Sequence, residues 1–560
     1  MQLMKRTTIS LALGAILTLS ACSEYDFDSK YEDPSKVTTV SISNLMVGVF
    51  QRVKDYDLYE YNRFFSFDSQ FVGKYAQTFG YTYSSSMYTP GYIPYIDSQW
   101  DNLYSALTQL RKLESLYNEE SAGQQEQDEA FLLAARLQVY DFFAATVDIF
   151  GDMPFSKACT LPLTNDVQQS YAPYDKAEDI YRTILTELKD MAPRFRTIPV
   201  PRNFSTQDFI NWGDMDKWER YANSLRLRLA MRVASQGELT EEGRTAIKEI
   251  LENPTLYPLI EEQENNVFIV NQKSGQLNFT AGSGLGDWVT NRLASGPLID
   301  RMLNHGNYDM ESKDPLTGSY VKDTDDPRIL LYYNPVKIVN RNTGQTDEHR
   351  YLGADINVSD ELTEYYNSQA EDELINTNKG FSQITQNGFF WQNDKFDMLI
   401  MASPEIHFLK AEAYAMGYGV SQDMTRAEQE FKTAVGQSIR LWYYYDSIGT
   451  GENAHRYDTP TDEAIANFAE AQWNSNDYVD KLDAIITQKW VHFAFLVSRE
   501  AWSDLRRTGY PSGLVFPEVA GTIPNVPNRW RYPTTEVNYN PYYKDVQAED
   551  TYYTKLFWAK

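Results

Sequence analysis

Apolar residues recur every three or four positions over several long stretches of the chain, the repeat that lays one stripe along a helix. From 129 to 150 the stripe is Phe131, Ala135, Val139, Phe142, Thr146 and Ile149. From 97 to 117 it is Trp100, Leu103, Leu107, Leu110, Leu113 and Leu116. The stretch 173–191 continues the pattern through Ala177, Ile180, Ile184 and Leu188, with Tyr174-Asp175 as its expected cap. Helices are also predicted over 216–235, rich in Leu and Arg, and over 240–253, where Thr240 is the expected N-cap and Pro254 follows the end. Towards the C-terminus, 404–416 and 425–441 read as a helix pair joined by a short polar turn. The stretch 478–506 reads as one long helix carrying Leu482, Ile485, Trp490, Phe493, Val497 and Leu505. Ala411, Ala413, Ala427 and Ala434 would let the paired helices approach closely. The expected fold class is therefore mainly α, a tetratricopeptide-like scaffold of helical pairs, although no clean 34-residue period is visible.

Other chemistry separates these helices. The stretch 56–95 is packed with Tyr, Phe, Gly and Ser and shows only weak helical periodicity. The stretch 267–300 carries Gly282-Ser283-Gly284-Leu285-Gly286 and then Trp288, and 309–391 mixes Asn, Asp, Thr and Tyr. A further irregular stretch spans 446–458, and a Pro-rich tail begins at Pro511. Long irregular insertions on a helical scaffold commonly carry binding residues, so these are expected to form a ligand face. No boundary dividing the body of the chain into two domains is apparent.

Composition changes the picture in two ways. The 560 residues include 40 Tyr, 28 Phe and 11 Trp, and the formal net charge is -27. The charge excludes a nucleic-acid binder, because phosphates call for stripes of Lys and Arg. With two cysteines and five histidines no Cys/His zinc framework can be assembled.

The first residues form an address rather than structure. Lys5-Arg6 precede a short apolar run, and Leu19-Ser20-Ala21-Cys22 follows it, the layout of a secretory signal too short to span a bilayer. The last four residues resemble the bacterial lipobox, which makes Cys22 the lipid attachment site. The expected organisation is a signal peptide over 1–21, an acidic tether over 22–36 and one domain over 37–560. The membrane would then be reached through the lipid alone. Glu24, Asp26 and Asp28, just after Cys22, resemble a surface-export signal and read equally well as a solvated tether.

Catalytic motifs are sparse. The chain contains no HExxH and no GxSxG on a strand–turn–helix, and the glycines at 282, 284 and 286 do not make GxGxxG. With 78 acidic residues, no one carboxylate pair singles itself out for glycoside hydrolysis. Asp323-Thr324-Asp325-Asp326 offers oxygen ligands for calcium but lacks the EF-hand spacing and glycine, so it reads rather as a solvated turn, and no cofactor is expected. His407 and His492 fall in helical patterns and read as core residues.

The aromatic rings carry more. Rings displayed in polar loops offer flat apolar faces for sugar C–H groups, while Asn, Arg and Asp bond hydroxyls. Tyr81, Tyr83, Tyr88 and Tyr92 lie in a Ser/Gly/Pro-rich stretch, Trp288 precedes Asn291-Arg292, and Trp391 follows Asn387-Gly388. These eight residues are the candidate ligand-binding set.

Five further segments carry a resemblance. They are Phe150-Gly151-Asp152-Met153-Pro154-Phe155, Asp325-Asp326-Pro327-Arg328, the helix 404–413, Glu500-Ala501-Trp502-Ser503-Asp504-Leu505-Arg506-Arg507-Thr508-Gly509, and Arg529-Trp530-Arg531-Tyr532-Pro533-Thr534-Thr535-Glu536 with Asn538 and Asn540. With the lipobox they make the chain similar to the SusD/RagB family of outer-membrane nutrient-binding lipoproteins. Read from the residues alone, Trp502 and Leu505 continue a buried helix face, Arg506-Arg507 suit the C-terminal dipole, and Gly509 stops the helix.

The resemblance implies a non-catalytic, surface-exposed outer-membrane lipoprotein that captures oligomers outside the cell. It would pass them to a SusC-like TonB-dependent transporter. The ligand implied is a glycan, with oligopeptides as the alternative. A tetratricopeptide adaptor that binds only proteins stays open on the residues alone.

Overall fold

The computed structural model describes residues 40–57, 61–81, 94–269, 292–303, 319–320, 324–340, 345–355, 360–369, 380–385, 397–449, 456–514, 516 and 527–560. Among its helices are α1 (Ile42–Asp57), α2 (Pro94–Glu119), α3 (Ala122–Phe150), α4 (Ala177–Phe195), α5 (Met215–Val233), α6 (Thr240–Glu252), α7 (Gly296–Met302), α8 (Ile329–Tyr332), α9 (Asp360–Gln369), α10 (Ser403–Met416), α11 (Met424–Ser447), α12 (Asp462–Asn474), α13 (Lys481–Phe493), α14 (Ser498–Thr508) and α15 (Thr534–Tyr539). Seven short strands, β1 (Val267–Ile269), β2 (Ser319–Tyr320), β3 (Tyr333–Asn334), β4 (Val336–Asn340), β5 (Gln345–Tyr351), β6 (Gln383–Ile384) and β7 (Met398–Met401), form three small antiparallel sheets, β1–β7, β2–β5–β4 and β3–β6. The protein is mainly helical, and α1–α2, α4–α5, α5–α6, α10–α11 and α11–α12 pack as neighbouring pairs. Ala411, Ala413, Ala427 and Ala434 are all fully buried, as close approach of α10 and α11 requires.

The central helix is α3. Ser121 caps it by accepting from Gln124 N, and from Ala130 onward nearly its whole circumference is buried, wider than the single stripe expected. It is long and apolar enough to cross a bilayer, yet 89% of its most apolar window is buried in protein, which makes it a core helix. Its end carries the Phe150–Phe155 segment. Asp152 Oδ1 accepts from Ala177 N at 2.9 Å, so it is Asp152 that satisfies a first-turn donor of α4. The expected cap, Asp175, instead accepts from Phe155 N and Ser156 N at 2.8 and 2.9 Å. The C-terminal Arg529–Glu536 segment docks on this same turn: Tyr532 Oη donates to Asp152 O at 2.6 Å, and Trp530 N donates to Ile149 O at 2.8 Å. Two segments nearly 400 residues apart thus make one joint.

Three further expectations need correction. The stretch 478–506 is two helices, broken at Ala494 with φ 42° and ψ -136°, a positive-φ conformation costly for a residue with a Cβ. Burial of Phe493, Phe495 and Leu496 at the break offsets that cost. Within 56–95, residues Tyr61–Val72 form a π-helical segment burying Phe64, Phe67 and Phe71. Thr240 opens α6 as its first residue, after Leu239 in the N-cap position.

Charged side chains run through the core between α5, α10, α13 and α14. Arg228 pairs with both oxygens of Glu405 at 2.6 Å, and Arg232 reaches Glu500 at 2.5 Å and Asp148 at 3.3 Å. Lys489 meets Asp504 at 3.0 Å, and Asp504 meets Arg507 at 2.9 Å. Burial raises the Asp504 carboxyl, but Lys489, Arg507 and Arg232 outweigh it and hold the group down at about 2. Arg506 does not end its helix in solvent either. It is buried, with its guanidinium 3.4 Å from the Trp502 ring centroid and 4.7 Å from that of Trp558. Leu505 is only partly buried, unlike Trp502.

Candidate functional site

The stretches expected to carry the ligand face are rooted together. Gly80, one residue before Tyr81, donates its N–H to Leu293 O at 2.9 Å. Leu293 in turn pairs with Gln383, and Ile384 N donates to Arg292 O at 2.9 Å. Ala294 N donates to Ser382 O at 2.8 Å, and Ile269 lies opposite Met398 in the β1–β7 pair. The root after Tyr81, the trailing root of 270–291 and the leading flank of 386–396 therefore meet in one hydrogen-bonded patch. The leading root of 270–291 and the trailing flank of 386–396 pair with each other in β1–β7. Gly80 is fixed by this geometry: a Cβ there would stand 2.1 Å from Ala294 O.

The patch rests on a stiff base. Tyr332 packs on Trp442 with centroids 4.4 Å apart and on Phe495 at 5.9 Å. Thr385 N donates to Tyr332 O at 2.8 Å, and its hydroxyl accepts from Arg456, whose guanidinium also bonds the fully buried Asp446 at 3.1 Å. Below Tyr332, Arg328 holds both oxygens of Asp326 at 2.9 and 2.6 Å and bonds Gln488 and Ser438. The Asp-Pro-Arg turn is thus buried rather than solvated. Among the described residues no group of three His, Cys, Asp or Glu side chains could hold a metal ion.

Of the candidate residues, Tyr81 and Arg292 are described. Tyr81 is turned inward and buried, its hydroxyl donating to Ser69 O, so it walls the base instead of displaying a ring. Lys74 stands 5.1 Å from the Tyr81 ring centroid, and its ammonium is pushed down to about 8 by burial and by the charge of Arg292. Tyr81, Lys74 and the half-buried Arg292 thus form one constellation at the loop roots. Lys74 was not anticipated, and its only signal is a basic residue in an aromatic run. Tyr83, Tyr88, Tyr92, Trp288, Asn291, Trp391 and Cys22 lie outside the described residues. His407 and His492 are buried as expected.

A family profile, described as SusD-like, starch-binding and associating with the outer membrane, matches residues 33–533. The chain belongs to the SusD-like family. Solved structures share the fold at low identity. A chitin-binding protein aligns at TM-score 0.69 with 20% identity, covering 93% of this chain and 100% of the other. A SusD-like protein from Bacteroides thetaiotaomicron aligns at 0.62 with 18% identity, covering 93% and 99%, and a SusD homologue from Bacteroides fragilis at 0.66 with 19%, covering 93% and 99%. Among curated proteins no sequence matches the chain. Membership makes this SusD-like chain an outer-membrane-associated nutrient-binding protein.

Proposed function

We propose that this SusD-like chain is a cell-surface lipoprotein that binds nutrient oligosaccharides without cleaving them and hands them to a SusC-like TonB-dependent transporter. The observation that supports the reading is the joining of Gly80, Leu293 and Gln383, next to which in sequence begin or end the stretches that hold Tyr83, Tyr88, Tyr92, Trp288, Asn291 and Trp391. Aromatic faces combined with placed polar groups suit sugars. The chitin-binding structural neighbour makes glycans the first probes to try. Residues 1–21 would be removed as a signal peptide, Cys22 would carry the lipid, 22–36 would serve as tether and 37–560 as one domain.

Affinity electrophoresis of the full chain through a panel of neutral and acidic polysaccharides, beside a panel of oligopeptides, tests this. Retardation by at least one glycan is expected, weakened on replacing Trp288 and Trp391 with Ala. No retardation by any glycan together with tight peptide binding would replace the sugar reading by an oligopeptide one. Release of new reducing ends on prolonged incubation would overturn the non-catalytic role.

A further inference from the structure

A cleft of about 710 Å³ opens between the first half of α2, the segment 154–172 and α15, within the ~300–1,000 Å³ range of ligand sites. None of the loop-root residues lines it. Its floor is fixed: Tyr104 Oη donates to Pro154 O at 2.8 Å, and the Trp100 and Tyr104 rings pack 5.0 Å apart. One wall is a hydrogen-bonded array in which Glu536 Oε2 accepts from Tyr174 Oη at 2.7 Å and from Asn540 Nδ2 at 2.9 Å. On the rim stand Tyr171 and Tyr539, 43% and 75% exposed. Such exposure leaves ring faces in water that a partner could cover.

The polar groups select among partners. The lining holds two carboxylates, Asp101 and Glu536, and no basic side chain, so anionic ligands are repelled. Asp101, exposed at the cleft, makes no hydrogen bond or ion pair with any described residue, and partial desolvation raises its carboxyl from the ordinary value. Ser105 and Thr535 add hydroxyls that can both donate and accept, while Thr108 and Ser170, which donate to Tyr104 O and Val167 O at 2.7 and 2.6 Å, add acceptors. A single ammonium would need one concentrated negative point. Spaced hydroxyls beside rim rings instead match the edge and face of successive sugar rings. We infer that this cleft is a second ligand site, separate from the loop face, that takes a neutral oligosaccharide.

Hydrogen–deuterium exchange of the full chain with N-acetylchitohexaose, maltohexaose and xylohexaose, and separately with spermidine, tests the assignment. At least one hexasaccharide should slow exchange threefold or more in peptides covering 98–108, 154–172 and 534–540. The double variant Tyr171→Ala/Tyr539→Ala, altered only at exposed rings, should abolish that protection while leaving protection elsewhere intact. Absence of protection in these peptides with all three sugars overturns the second site, as does protection by spermidine alone. The loop-face reading is judged apart from this, by the drop in polysaccharide retardation on replacing Trp288 and Trp391 with Ala, which persists if only the cleft assignment fails.

Discussion

Arg507 grips both carboxylate oxygens of Glu412, 95 residues earlier, with Nη2 at 2.8 Å from Oε2 and both side chains at most 2% exposed. The pair clamps α14 onto α10, and Asp504 at 2.9 Å extends it towards Lys489. Removing one member leaves the other charged and buried, which typically costs 3–5 kcal/mol. Glu412→Gln should therefore destabilise the protein by about 3 kcal/mol in urea titration. The double variant Glu412→Leu/Arg507→Met should recover part of that loss, because no orphan charge remains on the pair. If the double variant is as unstable as the sum of its single changes, the two residues are not coupled.

The Gly80 position links stability to binding. Gly80→Val would drive a side chain into Ala294 O and part the loop roots, at a cost of about 1–3 kcal/mol. Glycan retardation should weaken at a temperature where the variant remains folded. Gly123→Ala is the matched control, since a Cβ there meets nothing within 4 Å, and it should leave retardation unchanged while stability holds or rises slightly, as for Gly→Ala in a helix. Equal retardation by Gly80→Val and the parent chain would separate these roots from the ligand face.

How much of this was legible in the sequence depended on whether the signal was local. The α10–α11 pair announces itself through its alanines and apolar spacing, and α2 through α6 through their stripes. Phe64, Phe67 and Phe71 do keep a helical interval, but among so many Tyr and Ser residues the interval does not stand out. Nothing near Ala494 marks a break, because the positive-φ turn there is imposed by what Phe493 and Phe495 pack against. Arg506 and Arg507 look like solvated C-terminal cations until Trp558 and Glu412 arrive from elsewhere in the chain. At the site, the aromatic residues of the loop stretches stand out in the sequence, whereas Lys74 and the inward turn of Tyr81 depend on tertiary neighbours.

The proposed lipid attachment at Cys22 makes anchoring testable apart from sorting. Cys22→Ala should abolish acylation and release the protein from membranes, since each buried CH₂ of an attached chain contributes about 0.8 kcal/mol. Replacing Glu24, Asp26 and Asp28 with Ala should leave acylation intact but protect the protein from external protease on whole cells. Full protease accessibility of that triple variant would reduce the acidic segment to a tether.

His492 sets a distinct pH dependence. Its ring is 3% exposed, bonded through Nδ1 to Ser438 Oγ at 2.9 Å and flanked by Phe408, and burial together with the charges of Arg328 and Lys489 pushes it down to about 3. In the unfolded chain it titrates near 6.5. Between those values the unfolded state binds a proton that the folded state refuses, so the contribution of this group falls as pH falls. The slope approaches about 1.4 kcal/mol per pH unit once pH is well below 6.5. Other groups titrate in the same range, notably Asp57, whose carboxyl burial raises to about 7 and which therefore favours folding as pH falls. The parent must accordingly be compared with His492→Gln, which keeps a polar side chain but cannot titrate. Urea midpoints at pH 7.5, 6, 5 and 4 should show the parent losing stability relative to the variant by about 1.4 kcal/mol per unit below pH 6. Parallel curves across that range would mean that the imidazole accepts a proton in the folded state, against the cationic pocket formed by Arg328 and Lys489.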